Sequence, residues 1–166
     1  MEKKFNITEN DIIDIDSYIK DRNEIKKKIT EIKKNRRVHV GPHATFYFES
    51  YDTMLYQIQE MLFIERGGKE QMEDELKAYN PLIPKGKSLV ATLMFEIDNP
   101  TVRKNFLNSI GGIEGNTFIK VKDTKILARA EDDTERTNEE GKASSVHFLH
   151  FDFSDSQKKV FLTPGC

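Results

Sequence analysis

Between Ser88 and Ile97 the chain is apolar at almost every position: Leu89, Val90, Ala91, Leu93, Met94, Phe95 and Ile97 are interrupted only by Thr92 and Glu96. The stretch is short for a helix and has no polar face to turn to water. It suits a strand covered on both sides, in the middle of a sheet. Such a strand needs neighbours, and the sequence offers them. Val38 and Val40 alternate with Arg37 and His39, Gly41-Pro42-His43 interrupts, and Phe46 and Phe48 alternate with Tyr47 and Glu49. That is a hairpin pattern over residues 37–50. Further strands are expected near 116–122, 125–130 and 144–153.

Helical signals fill the rest. Thr8 ahead of Glu9, Asn10 and Asp11 reads as a cap for a short helix ending near residue 20. A second helix is expected over 23–35, where Ile25, Ile29 and Ile32 make one narrow stripe. Asp52 caps a helix over 53–66 closed by Gly67-Gly68, and a shorter helix over 70–79 stops at Asn80-Pro81. Asp98-Asn99-Pro100 opens a helix striped with Val102, Phe106 and Ile110, and Asp155 starts a terminal one. Hairpin links dominate. The expected fold is α+β, a single domain over residues 1–166, with a mainly antiparallel sheet and helices packed on it.

Composition narrows the classes. At 166 residues the chain can bury about 70% of its unfolded surface without staples. Charged residues are 33%, yet the net charge is only −2, against a basic nucleic-acid coat and against a polyanionic chain. The one cysteine, Cys166, excludes an intrachain disulfide and a Cys-based structural zinc site within one chain. MEKKFNITEND has no apolar core of a secretory signal, and no apolar run is long enough to span a membrane. A cytoplasmic protein with no membrane segment is expected.

Few motifs point to chemistry. His39 and His43 flank the Gly-Pro turn and would bind a metal only with a carboxylate such as Glu49; strand-end exposure is the simpler reading. His147 and His150 stand three apart in a strand and point to opposite faces, so they cannot easily share one ion. No metal and no cofactor is expected. His147 shares its face with Leu149, Phe151 and Phe153; a buried neutral imidazole there would serve as a base, or simply as a satisfied core residue. Gly111-Gly112 and Gly115 follow a helix, whereas a phosphate loop should precede one. Glu60, on the 53–66 helix, would mark a polar site if buried beside an arginine, because an uncompensated buried charge is very costly.

Charge is locally one-sided. Residues 20–37 carry nine basic and three acidic side chains, and 131–140 carry six acidic and one basic. A basic helix face can track phosphates, with Lys26, Lys27, Lys33, Lys34, Arg36 and Arg37 as the contacts. No aromatic residues interleave with these lysines along the chain, so a solvated helix face is favoured over nucleic-acid binding. If the two segments meet across a two-fold, the chain is a homodimer, held by aromatics of the 46–63 region.

Several strings together resemble a family of bacterial proteins known only as a domain of unknown function: RRVHVGP at 36–42, YQIQEML at 56–62, IER at 64–66, AYNPLIP at 78–84, DDTER at 132–136 and SSVHFLHF at 144–151. The resemblance implies a setting beside rubrerythrin-like and iron–sulfur oxidoreductase proteins, which members of that family tend to be encoded with. It assigns no catalytic role. The residues within or beside these strings that are polar enough for a site are Glu60, Glu65, Arg66, Tyr79, Asn80, Asp133, Glu135, Arg136 and His147. The favoured expectation is a non-catalytic accessory or interaction protein of a redox or peroxide-stress system, a homodimer with a rubrerythrin-like or iron–sulfur partner. The alternatives are a small enzyme or ligand-binding protein with a pocket of Glu60, Arg66, Glu135, Arg136 and His147, and an RNA-binding protein using the basic helix.

Overall fold

The structure is a computed structural model in which residues 4–131 and 141–165 are described. The chain forms two compact units, one from Met1–Arg37 with Glu49–Lys85 and one from Val38–Phe48 with Gly86–Cys166. The fold class is α+β.

The first unit is helical. A 3-10 turn at Glu9–Asp11 precedes α1, Ile15–Lys34. The two short helices expected before residue 35 are therefore one helix of 20 residues. Its N-cap is Asp14, whose side chain accepts from the Ser17 backbone at 3.0 Å; Thr8 instead starts the 3-10 turn. Nothing between Ile15 and Lys34 is glycine or proline, so Asn23 does not interrupt the backbone ladder. α2, Tyr51–Glu65, starts at Ser50, which forms a capping box with Thr53. Met54, Ile58 and Leu62 recur every four residues and are buried. The helix does not close on glycine. Arg66 takes the left-handed conformation, with φ 54°, and its guanidinium lies over the Phe63 ring, 5.6 Å from the centroid. Gly67 and Gly68 open α3, Gly68–Tyr79.

The second unit is a sheet with two helices. Its strands are β1 (Arg37–Val40), β2 (Ala44–Phe48), β3 (Ser88–Phe95), β4 (Phe118–Val121), β5 (Thr124–Ala130) and β6 (Val146–Asp152), in the order β1-β2-β3-β6-β5-β4. β3 is central, antiparallel to β2 on one side and β6 on the other, with Leu93 opposite Phe46 and His147. Its apolar run is what admits it there. One face carries Ala91, Leu93, Phe95, Leu149 and Phe151, joined by Val121 and Ile126. α4 (Pro100–Ser109), capped by Asn99 through Thr101 and Val102, contributes Leu107 to this cluster. α5 (Asp155–Phe161) brings Phe161 against Phe153, 5.2 Å between centroids. Phe46 and Phe48 are half-buried against the same cluster. The aromatics of 46–63 expected to be exposed are thus largely engaged. The exposed apolar residues include Val38 and Val40 of β1, at 48% and 53%.

Candidate functional site

Glu60 stands on the half-buried face of α2 and accepts three hydrogen bonds from α1. Tyr18 Oη donates at 2.6 Å, and Arg22 donates through Nε and Nη2, both at 2.8 Å. The arginine that compensates Glu60 is therefore Arg22, not Arg66. The Arg22 guanidinium, then the Tyr18 hydroxyl, hold the Glu60 carboxyl below its ordinary range. Burial and the neighbouring Glu60 push the Tyr18 hydroxyl well above its own. A general base or acid near neutrality needs a carboxyl raised toward that pH. Glu60 is displaced the other way, as a fully compensated anion.

The same seam brings aromatic rings to the basic residues of α1. Arg22 lies over Phe63 at 4.6 Å and Lys33 over Tyr56 at 5.6 Å. These rings come from α2, so reading along α1 alone could not find them. Each ring already carries one of the chain's own cations, which competes with stacking on bases. Lys26 and Lys27 are exposed, Lys34 pairs with Glu31 at 2.6 Å, Arg36 donates to the Glu49 carbonyl at 3.2 Å, and Arg37 is exposed at the head of β1.

Other nominated residues in the helical unit serve as clasps. Asn80 donates to the Ile7 carbonyl at 2.9 Å and accepts from its N–H at 2.7 Å. Gln59, which no sequence motif marks, does the same for Ile13 at 2.9 and 3.0 Å. Glu65 is exposed and accepts from Gln71 at 3.1 Å. Tyr79 is half-buried, and burial raises its hydroxyl pKa. Asp133, Glu135 and Arg136 lie outside the described residues.

The sheet unit holds the histidines. His147 is fully buried on the core face, edge-on to Phe95, and its Nε2–H is placed to donate to the Ser144 carbonyl at 2.8 Å. It belongs to the apolar core of this unit. His150 faces the other way, as strand alternation requires, and pairs with Glu131. His43 packs edge-on against Phe106, 5.0 Å between centroids.

His39 makes the arrangement with most chemical character. Its Nδ1 lies 3.0 Å from Thr45 Oγ1, and Thr45 donates to Glu96 at 2.7 Å. Tyr47 donates to the other Glu96 oxygen at 2.9 Å. A hydroxyl has one proton; with it given to Glu96, Thr45 accepts from His39 Nδ1–H. The ring is thereby oriented with Nε2 away from Thr45, on an exposed residue. Glu96 is placed by its own backbone, whose N–H donates to the His43 carbonyl at 2.9 Å. The signal available in the sequence was Glu96 itself, a carboxylate at the end of an apolar run. Among the described residues no group of three His, Cys, Asp or Glu side chains is arranged to hold a metal ion.

The pattern of the chain agrees with one known sequence family, described as "Protein of unknown function (DUF3501)", over residues 6–165. The chain belongs to that family. A crystal structure of a novel protein of unknown function from Burkholderia pseudomallei is similar to it, with 37% sequence identity and a TM-score of 0.86. The match covers 93% of this chain and 81% of that one. No curated protein matches. Among the described residues, no helix of this DUF3501 chain is long and apolar enough to cross a membrane.

Proposed function

We propose that this DUF3501 chain is a non-catalytic interaction protein that works beside rubrerythrin-like and iron–sulfur proteins of a bacterial redox or peroxide-stress system. The observation that carries the reading is how its polar residues are engaged. Of those nominated for chemistry, Asn80 closes on a backbone segment, Glu60 is neutralised by a bidentate arginine, and His147 packs in an apolar core. Groups held in such contacts serve the packing of the fold, which favours an interaction role over proton transfer. The redox setting rests on what the family resemblance implies.

The test is direct association. The purified chain is titrated against a purified rubrerythrin-like protein, and separately against the iron–sulfur oxidoreductase, by sedimentation velocity. A complex of micromolar affinity with either is expected. No complex with either at about a hundred times that concentration overturns the reading.

A further inference from the structure

We propose that His39 is a phosphoryl-accepting site, its Nε2 taking the group from an acyl phosphate. The inference goes beyond the interaction reading and does not depend on it. The four histidines differ in which ring nitrogen is open. Nε2 of His147 donates to the Ser144 carbonyl at 2.8 Å, deep in the apolar core. Nε2 of His150, also buried, pairs with Glu131. His43 is half-buried, edge-on to Phe106. His39 is exposed, and its hydrogen bond runs through Nδ1, to Thr45 at 3.0 Å. The buried Thr45 hydroxyl gives its own proton to Glu96 at 2.7 Å, so Nδ1 carries the hydrogen and Nε2 the lone pair. A free neutral imidazole divides its proton between the two nitrogens. On His39 the nucleophilic nitrogen is fixed, and it is the one turned away from Thr45.

The chemistry of the transfer fits this arrangement. The Nε2 lone pair attacks phosphorus in line with the bond to the acyl oxygen. The P–N bond forms, that P–O bond breaks, and the carboxylate leaves with its electron pair. No proton has to move, because Nδ1 keeps its hydrogen. The ring becomes a phosphorylated imidazolium, whose charge is stabilised through Thr45 by the Glu96 carboxylate. Tyr47 donates to the other Glu96 oxygen at 2.9 Å, so two hydroxyls hold that carboxylate in place. The phosphoryl group sits on Nε2, across the ring from the Nδ1–Thr45–Glu96 chain, which keeps the two anions apart. Exposure selects the group. An acyl group on an imidazole that faces water is hydrolysed quickly, whereas a phosphoryl group on Nε2 persists at neutral pH. Once attached, it adds about 1.5–2 negative charges to the edge of the sheet.

Acetyl phosphate is the probe. The full chain is incubated with it at neutral pH and followed by intact mass and phosphorus NMR. One phosphoryl group is expected, acid-labile and stable in base, on His39 at Nε2. His39→Gln should remove it and leave any trace labelling of His43 unchanged. Thr45→Val and Glu96→Gln, each with unchanged circular dichroism, should slow the labelling about tenfold or more. Thr45→Val should also move part of the label to Nδ1, an isomer that phosphorus NMR separates from Nε2 and that a merely structural role for Thr45 would not produce. The assignment is overturned by an unlabelled chain, by labelling of His43 as fast as His39, or by a rate and isomer that neither Thr45→Val nor Glu96→Gln changes. Each of these results leaves the interaction reading to its own titration against the redox partners.

Discussion

Replacing Glu60 by alanine tests the helical unit at its bidentate arginine–carboxylate pair. The carboxylate accepts from Tyr18, which is 0% exposed, and from two nitrogens of Arg22. Without it the Tyr18 hydroxyl is left buried and unsatisfied by Glu60, a loss of about 1–3 kcal/mol. Arg22 is less severely affected. Its side chain is 31% exposed and can rehydrate, so the 3–5 kcal/mol of a deeply buried broken pair does not apply in full. The expected loss for Glu60→Ala is therefore about 2–4 kcal/mol, and for the isosteric Glu60→Gln about 1–2 kcal/mol. The pH dependence has a definite sign. Arg22 and Tyr18 depress the Glu60 carboxyl, so its contribution is complete above the unfolded carboxyl pKa, about 4.3, and is lost as pH falls through the lower folded value. The gap between wild type and Glu60→Gln should narrow in acid. Urea unfolding followed by circular dichroism at neutral and acid pH measures it. A loss below about 0.5 kcal/mol for Glu60→Ala, within the range of an ordinary surface change, refutes the argument; so does a gap that widens in acid.

Leu93 is 1% exposed at the centre of β3, and Leu93→Ala should lower stability by about 2–5 kcal/mol in the same assay. Asn80→Ala removes both bonds to Ile7, itself 1% exposed, and should give a loss of about 1–3 kcal/mol with earlier proteolysis near the N-terminus. Chain purified without added metal should contain less than one equivalent of zinc or iron by elemental analysis; stoichiometric metal lost on His39→Ala would promote the enzyme reading. Salt-dependent binding of single-stranded RNA should be weak and insensitive to Tyr56→Ala, since that ring is already under Lys33.

The individual strands and helix starts were readable where signals are local. The apolar run at 88–97 announces a central strand, and Asn99-Pro100 announces α4, because each depends on consecutive residues. What was not readable depends on distance along the chain. Gln59 meets Ile13 across 46 positions, Glu60 meets Arg22 across 38, and Asn80 meets Ile7 across 73. No periodicity encodes which of several polar side chains on a helix will find a backbone group so far away. Arg66 shares a candidate pocket with Glu60 in the sequence reading because both lie in strings that carry the family resemblance. Placed just past the end of α2, it shares the Phe63 ring with Arg22 instead. The merger of two expected helices into α1 has a simpler cause: a cap-forming residue is permissive within a helix, and only glycine or proline would have interrupted it strongly.

Hydrogen bonds run from His39 to Thr45 and on to Glu96, inward from the edge of the sheet. They tie edge strand β1, through β2, to the residue that follows central strand β3, so that a side chain on the outermost strand is held by a carboxylate two strands inward. A short edge strand would ordinarily fray. Anchored this way, β1 is held extended at the edge of the sheet. The anchor also explains why a histidine suits the position. Its ring reaches Thr45 through Nδ1, a short and directional contact that a flexible lysine side chain would not hold in one geometry.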